Sequence, residues 1–373
     1  MVTGMTKQYY IIPIFVPHQG CPHQCVFCNQ KEIAGTIGNP TPVEARSIIQ
    51  EFLATIPRRE GIKIEVAYYG GSFTAIPQKV QETLLQPALE CLGQGLIHNI
   101  RISTRPDCIT GKELEFLSRH GVGIIELGVQ SMNPEVLALS GRGHKPEDVR
   151  QGARLIKEHG LTLGLQMMIG LPGDNSERAL VTAKELIGLE PDFVRIYPLL
   201  VVEGTPLAGA YRRGEYRPLA LEEAVETCAD LLVIFTQAGI PVIRLGLQPS
   251  QEINYQGKVL TGPFHPAFGE LVESRVAYRQ VISLLDRASR KGNQVTGELI
   301  LAVSPRDVSI LRGQKNTNFQ TLREMYHLKS IKVQVDDNLI RGEVKLVSLD
   351  GKSLNLISNR TGLNSSNKKL TIT

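Results

Sequence analysis

Short runs of β-branched and other apolar residues alternate along this chain with longer stretches whose apolar positions recur at helical spacing. The strand-like runs are Tyr9–Val16, Lys63–Tyr69, Asn99–Thr104, Gly123–Gly128, Leu161–Met168 and Phe193–Pro198. The segments between them are long enough for crossover helices, so the pattern predicts six βα units and an α/β fold. Helix starts are legible as well. Thr41, Pro42 and Glu44 supply an N-cap, a first-position proline and a third-position carboxylate for a helix over Pro42–Ile56, and a second helix is expected from Pro146 to His159. Near-continuous apolar strands point to a parallel sheet, either closed into a full or partial barrel or left open and doubly wound. Periodicity does not separate the two.

Polar and glycine-rich residues gather where these strands end. They are the Cys21 loop, Gly70-Gly71-Ser72, Thr104-Arg105-Pro106-Asp107, Gly128-Val129-Gln130-Ser131 and Gly170-Leu171-Pro172-Gly173. A single glycine there is ordinarily a turn residue, but accumulation after successive strands marks the end of a parallel sheet that carries an active site. Beyond Leu247 the pattern changes to a long helix, Pro266–Arg290, then short strands, a helix and further strands to about Leu349. The domain plan is therefore a barrel or sheet domain over 1–250, a small α+β module over 251–357 and a polar, disordered tail over 358–373.

Composition narrows the class. With 42% hydrophobic and 21% charged residues the chain reads as a globular protein, and Tyr9–Val16 is too short to span a bilayer and has no signal-peptide cleavage site. A cytoplasmic location and no membrane partner are expected. The net charge of +4 is spread along the chain, which permits an anionic partner but is no nucleic-acid signature. Of the six cysteines, three fall within eight residues, so a disulfide framework is not expected. Cys91, Cys108 and Cys228 are scattered and read as small buried hydrophobes.

Cys21-x3-Cys25-x2-Cys28 places three thiolates on the loop after the first strand, where they can converge on one metal centre. Thiolates suit iron-sulfur clusters and zinc, and zinc would take His23 or His18 as its fourth ligand. A thioredoxin-type dithiol at Cys25 and Cys28 lacks the expected helix start and leaves a third thiol over. In a cubane cluster, three protein ligands leave one iron open to a cofactor. The spacing, with Phe27 directly before the third cysteine, resembles the motif of the radical S-adenosylmethionine superfamily.

Over about residues 9 to 250 the other motifs follow in the order of that family. The resemblance implies a partial (β/α)6 TIM-type barrel, a [4Fe-4S] cluster on Cys21, Cys25 and Cys28, and S-adenosylmethionine beside Phe27. It also implies that Gly70, Gly71 and Ser72 receive the methionine amino group, that Ser103 and Arg105 meet the ribose and carboxylate, that Gln130, Arg142 and Gln166 contact the cofactor, and that Gly170 turns beside the adenine. Ser103 stands where glutamate is usual, and Gln166 where histidine or aspartate is usual. Glu126-Leu127-Gly128-Val129-Gln130-Ser131 and Arg142-Gly143-His144 resemble the elongator-catalytic-subunit type, with the oxygen-independent coproporphyrinogen oxidase branch as neighbour. A flavodoxin- or ferredoxin-type electron donor is implied, and the cofactor carries the radical chemistry. No general acid or base is identifiable; Tyr197 and His144 are candidates for the substrate side.

Ile310–Arg323, followed by Ile331-Lys332-Val333, resembles the helix, glycine loop, helix and strand of a KH domain, with Asn316 in place of the second loop glycine. The roughly 120 residues after the barrel are too few for an acetyltransferase domain and lack a Gly-rich acyl-CoA loop. The expected function is a radical enzyme acting on an RNA base, with transfer RNA as partner. The alternatives are a radical enzyme on a small molecule such as a porphyrinogen, and a non-catalytic zinc- or RNA-binding protein.

Overall fold

The computed structural model describes residues 9–16, 21–29, 40–57, 59–248, 254 and 257–363. Strands β1 (Tyr9–Val16), β2 (Lys63–Gly70), β3 (Asn99–Thr104), β4 (Val122–Gln130), β5 (Thr162–Ile169) and β6 (Phe193–Pro198) stand side by side in sequence order. Every neighbouring pair among them is parallel. A doubly wound sheet reverses its strand order at a switch point, and this sheet does not. The winding is that of a partial barrel, with all strand C-termini at one end.

Helices form where the capping signals lie. Thr41 accepts from the Glu44 backbone at 3.2 Å while the Glu44 carboxylate accepts from the Thr41 backbone at 2.7 Å, opening the helix Pro42–Thr55. The outward face of the sheet is the core: Ile12, Ile14, Val66, Ile100, Ile102, Ile125, Leu163 and Val194 have 5% or less of their surface exposed. Each fully buried side chain of this size contributes about 1.5–3 kcal/mol.

The inward face departs from the near-continuous apolar pattern expected of these strands. Alternate positions carry Glu65, Arg101, Glu126 and Arg195, and they form one buried network. Arg101 donates to Glu65 through Nε at 3.0 Å and Nη2 at 2.6 Å, to Tyr9 at 2.9 Å and to Glu126. Arg195 reaches Glu126 at 3.0 Å. The Arg101 guanidinium also lies 4.7 Å from the Phe193 ring centroid, and Gly164 leaves the room for it, since a Cβ there would come within 2.3 Å of that ring. Burial works against the Arg101 charge, and Glu126 with Glu65 outweighs it, so the guanidinium is held charged.

The described residues divide into two compact units. The first runs to Leu219 and takes in those between Leu247 and Phe264; the second is 220–246 with 265–363. The helix Leu221–Gln237 thus groups with the small module rather than with the barrel where the sequence had put it. Its charges account for this: Arg279, on the helix Phe268–Arg290, pairs with Asp230 at 2.6 Å and with Glu226. The module sheet has the order Leu328–Val335, Gly297–Val303, Val344–Leu349, Lys352–Ser358, over a core that includes Val281, Leu285, Leu301, Leu322 and Leu346.

Residues 358–363, expected to open the disordered tail, are instead tied into the fold. Ser358 closes a strand and its carbonyl accepts from Gln280 at 3.1 Å, while the Leu363 carbonyl accepts from Gln237 at 2.6 Å. The rest of that stretch lies outside the described residues. Among the described residues no helix is long and apolar enough to cross a membrane.

Replacing Arg101 by Met strands two buried carboxylates with one arginine. The expected loss is about 3–5 kcal/mol of stability in urea unfolding followed by circular dichroism. A loss under about 1 kcal/mol would sink the view that this network holds the strands together.

Candidate active site

The cysteine loop, described over residues 21–29, is clamped from two sides. Val26 donates its backbone N–H to the Ser140 carbonyl at 3.1 Å and accepts from the Leu207 N–H at 2.8 Å. Gly141 and Gly143, at φ +64° and +76°, let the chain pass close beneath: a Cβ on Gly141 would lie 3.0 Å from the Gln24 carbonyl, and one on Gly143 2.3 Å from the His23 ring. His23 therefore packs on this turn, and His18 lies outside the described residues. Phe27 packs with Val136, Leu171, Leu199, Val201 and Leu207, so its ring anchors the loop.

None of the six cysteines is joined in a disulfide. Cys25 is buried and accepts a hydrogen bond from Arg142 Nη1 at 3.3 Å. The Ser72 backbone N–H points at the Cys21 sulfur, although burial still pushes the Cys21 thiol up. Among the described residues no three His, Cys, Asp or Glu side chains already stand as a metal-binding group. The donor set nevertheless fits an iron-sulfur cluster: three thiols share one short loop, and buried cations beside them keep unused donors. Arg142 Nε and Arg105 Nη1 are buried without hydrogen-bond partners.

The strand-end motifs expected to meet the cofactor are tied to one another. The hydroxyls of Ser72 and Thr104 lie 2.9 Å apart, and the Arg105 backbone N–H donates to Ser72 at 3.3 Å. Gly71 donates to the Val16 carbonyl at 2.9 Å, fixing β2 to the start of the cysteine loop. A Cβ on Gly70, at φ +118°, would lie 2.8 Å from that carbonyl. The Arg105 fork grips Asp107 with two bonds of 2.9 Å and donates to the Arg142 carbonyl. Its forked edge is thus engaged within the protein, and the pair is part-buried rather than an exposed salt bridge. Arg142 in turn donates to the Gly128 carbonyl, so one chain of contacts runs from Ser72 to Cys25.

A bulge at Val129 shifts the β4–β5 register, and Gln130, at φ +67°, accepts from Gln166 at 3.3 Å. Ser103 lies on the same inward face, half-buried. Gly170 stands apart from this group. It accepts from Tyr216 at 2.6 Å and donates to Asp174 at 2.9 Å, lining a cavity of about 580 Å³ with Val26, Leu171, Leu207 and Leu219.

Two roles escape sequence reading, those of Thr104 and Cys108, while His144 is one of its substrate-side candidates. Thr104 bridges Ser72 and Thr74, the latter at 2.6 Å. Cys108, read as a scattered hydrophobe, is half-buried, with its thiol at the Ser72 side chain and close enough to Cys21 for their charges to interact. Its position three residues after Arg105 was the available signal. His144 is buried with both ring nitrogens unpartnered, and burial together with Arg142 and Arg105 pushes its pKa down to about 3. That leaves it neutral rather than poised as a general acid. Cys228, by contrast, is fully buried as expected.

Burial raises the Asp174 carboxyl to about 6. Its folded value lies above the ordinary one of about 3.9, so the folded state holds the extra proton between those values and stability falls as pH rises through about 6. Asp174→Asn is therefore expected to raise the melting temperature at about pH 8 and to leave it unchanged at about pH 4. Equal shifts at both pH values would contradict this.

The chain resembles several known proteins. It is 30% identical over 254 residues to a tRNA uridine(34) acetyltransferase of Methanocaldococcus infernus, covering 58% of this chain and 48% of that protein. An uncharacterized protein of Methanocaldococcus jannaschii is 32% identical over 237 residues, covering 57% of this chain and 68% of the relative. The solved structure of the archaeal Methanocaldococcus infernus Elp3 with an N-terminal deletion aligns with a TM-score of 0.57 at 25% identity, over 77% of this chain and 64% of that one. The chain spans about half the length of the tRNA-acetyltransferase relative. The Radical SAM superfamily model matches residues 15–186, and the model of the Radical_SAM C-terminal domain matches 191–278. Parallel winding, a three-cysteine loop at the strand C-termini and these matches lead to one conclusion: the chain belongs to the radical S-adenosylmethionine superfamily, enzymes whose cofactors are a [4Fe-4S] cluster and S-adenosylmethionine.

Proposed function

We propose that this protein reductively cleaves S-adenosylmethionine at a cluster held by Cys21, Cys25 and Cys28 and uses the radical on a base of RNA, with transfer RNA as the substrate. The observation that carries the first half is the clamped cysteine loop with a buried arginine on Cys25. The second half rests on the likeness to a relative named for a transfer-RNA uridine.

When bound, the cluster and S-adenosylmethionine supply one-electron cleavage of a carbon–sulfur bond and the 5′-deoxyadenosyl radical. The chain's own residues hold, orient and shield. Ser140 and Leu207 fix the loop that carries the three thiols. Arg142 donates to Cys25, and its unused Nε, with Arg105 Nη1, offers positive charge to an anionic centre and to a carboxylate. Gly70, Gly71, Ser72, Ser103, Gln130 and Gln166 are the proposed contacts of the methionine and ribose portions. Phe27 belongs to the site by anchoring the loop, and Gly170 by shaping the cavity beside it. A flavodoxin- or ferredoxin-type protein is the proposed electron donor.

In the module, Val308–Arg312 and Thr317–Tyr326 flank a loop in which Gly313, Lys315 and Asn316 have φ of +73°, +53° and +62°. Asn316 takes the left-handed conformation that a glycine would otherwise supply. The KH-like reading of this loop as a second RNA contact is part of the same proposal.

Anaerobically reconstituted protein is expected to hold about four irons and, with dithionite and S-adenosylmethionine, to release 5′-deoxyadenosine. With deuterated transfer RNA present the label should appear in that product. Colourless protein holding one zinc would overturn the cluster assignment; product without label would overturn the RNA substrate.

Arg142→Met removes a charge and an N–H···S bond from Cys25. Its cluster should titrate at a midpoint more negative by on the order of 60 mV, the equivalent of one charge-assisted bond of about 1.5 kcal/mol. An unchanged midpoint at unchanged iron content would count against the contact.

A further inference from the structure

The inward face of the barrel above the ion network carries an aromatic group that the cofactor contacts do not use. Phe15 on β1 is 44% exposed although its neighbours Ile14 and Val16 are buried, so a large ring is held at the barrel wall with its surface uncovered. Tyr69 on β2 stands beside it, ring centroids 6.3 Å apart and tilted by 44°. Across the lumen, Arg195 on β6 donates Nη2 to the Tyr69 hydroxyl at 2.9 Å and Nη1 to the Tyr197 hydroxyl at 3.2 Å. One guanidinium therefore fixes two phenols, and Glu126 at 3.0 Å fixes the guanidinium.

The hydrogen-bond arithmetic gives these phenols a polarity. An arginine has only donors, so each tyrosine oxygen is committed as an acceptor towards it, and what remains to each hydroxyl is chiefly its own proton. Among the described residues neither phenol proton has an acceptor in the protein. Arg195 is itself nearly enclosed, its side chain 12% exposed, so the pair is preorganised rather than adjustable. The wall thus combines an uncovered aromatic face with two convergent donors. Met168 and Gln166 complete its rim on β5, both half-buried, in register with Tyr197 and Arg195.

We propose that this wall seats the substrate base: a planar pyrimidine stacks on Phe15 and presents a carbonyl oxygen to the hydroxyls of Tyr69 and Tyr197. The proposal rests on the RNA reading above and adds the side chains that read the base: two donors favour the O4 carbonyl of uracil, the base in the name of the tRNA uridine(34) relative, over the amino group of cytosine. Arg195 is a positioning residue, acting on the base through the phenols.

The test uses full-length, cluster-loaded, unreduced protein with S-adenosylmethionine, so that no turnover occurs. Fluorescence anisotropy follows short fluorescein-labelled single-stranded RNAs that differ only in one central residue: uridine, cytidine or an abasic site. Uridine is expected to bind roughly tenfold or more tighter than the abasic site, the size of one base–aromatic stack. Phe15→Leu, which keeps the apolar volume, should bring that ratio near one. The pair Tyr69→Phe with Tyr197→Phe should keep the stacking gain and erase the preference for uridine over cytidine, and Arg195→Lys should weaken that preference while Phe15 stacking persists. RNA binding with no base preference, or a preference untouched by these variants, would overturn the seat and leave the RNA reading standing. No RNA binding at all would overturn both.

Discussion

Everything at the catalytic end of this barrel depends on charges balanced below it. Two arginines and two glutamates interlock strands β2, β3, β4 and β6, with Tyr9 joining from β1. Removing charge from water is costly, and the cost is recovered only when each ion meets its partners at close range. Such a network has few alternative arrangements, so it fixes strand neighbours and register at once. An apolar filling of the same lumen would tolerate slippage more readily. Arg195 belongs both to this base and to the aromatic wall above it, which makes the wall an extension of the ionic frame.

The loops above inherit that rigidity through hydrogen bonds between strand ends. Ser72, Thr104, Arg105, Arg142 and Gly128 pass contact from β2 to β4, and Arg142 carries it to Cys25. A flexible cysteine loop would leave its thiols searching for geometry. Here the backbone of Val26 is bound on both sides, which ties the loop to the rest of the barrel.

Much of this was legible before the structure. The six strand runs, the Thr41 capping box and the accumulation of glycine at strand ends each follow from local rules that neighbours reinforce. Periodicity alone did not separate a barrel from a doubly wound sheet, because strand order is a tertiary fact with no periodicity of its own; the family resemblance implied the partial barrel that the strand order bears out. The inner-face charges were present in the sequence at alternate positions, but single charges in otherwise apolar strands read as exceptions until their partners are known. Cys108 was missed for a related reason: its neighbours in space, Ser72 and Cys21, are distant in sequence. The helix Leu221–Gln237 was placed with the barrel because it follows the last strand, whereas its acidic residues match arginines encoded much later.

The bulge at Val129 bears on how this strand end can change over evolutionary time. It puts β4 out of phase with β5 for its last residues, so that the backbone of Gln130 pairs with Met167 while its side chain accepts from Gln166. Inserting or deleting one residue earlier in β4 would reverse which side chains face the lumen while leaving composition almost untouched. Drift at this strand is therefore confined to substitutions that keep the count, and even these must accept a left-handed backbone at Gln130.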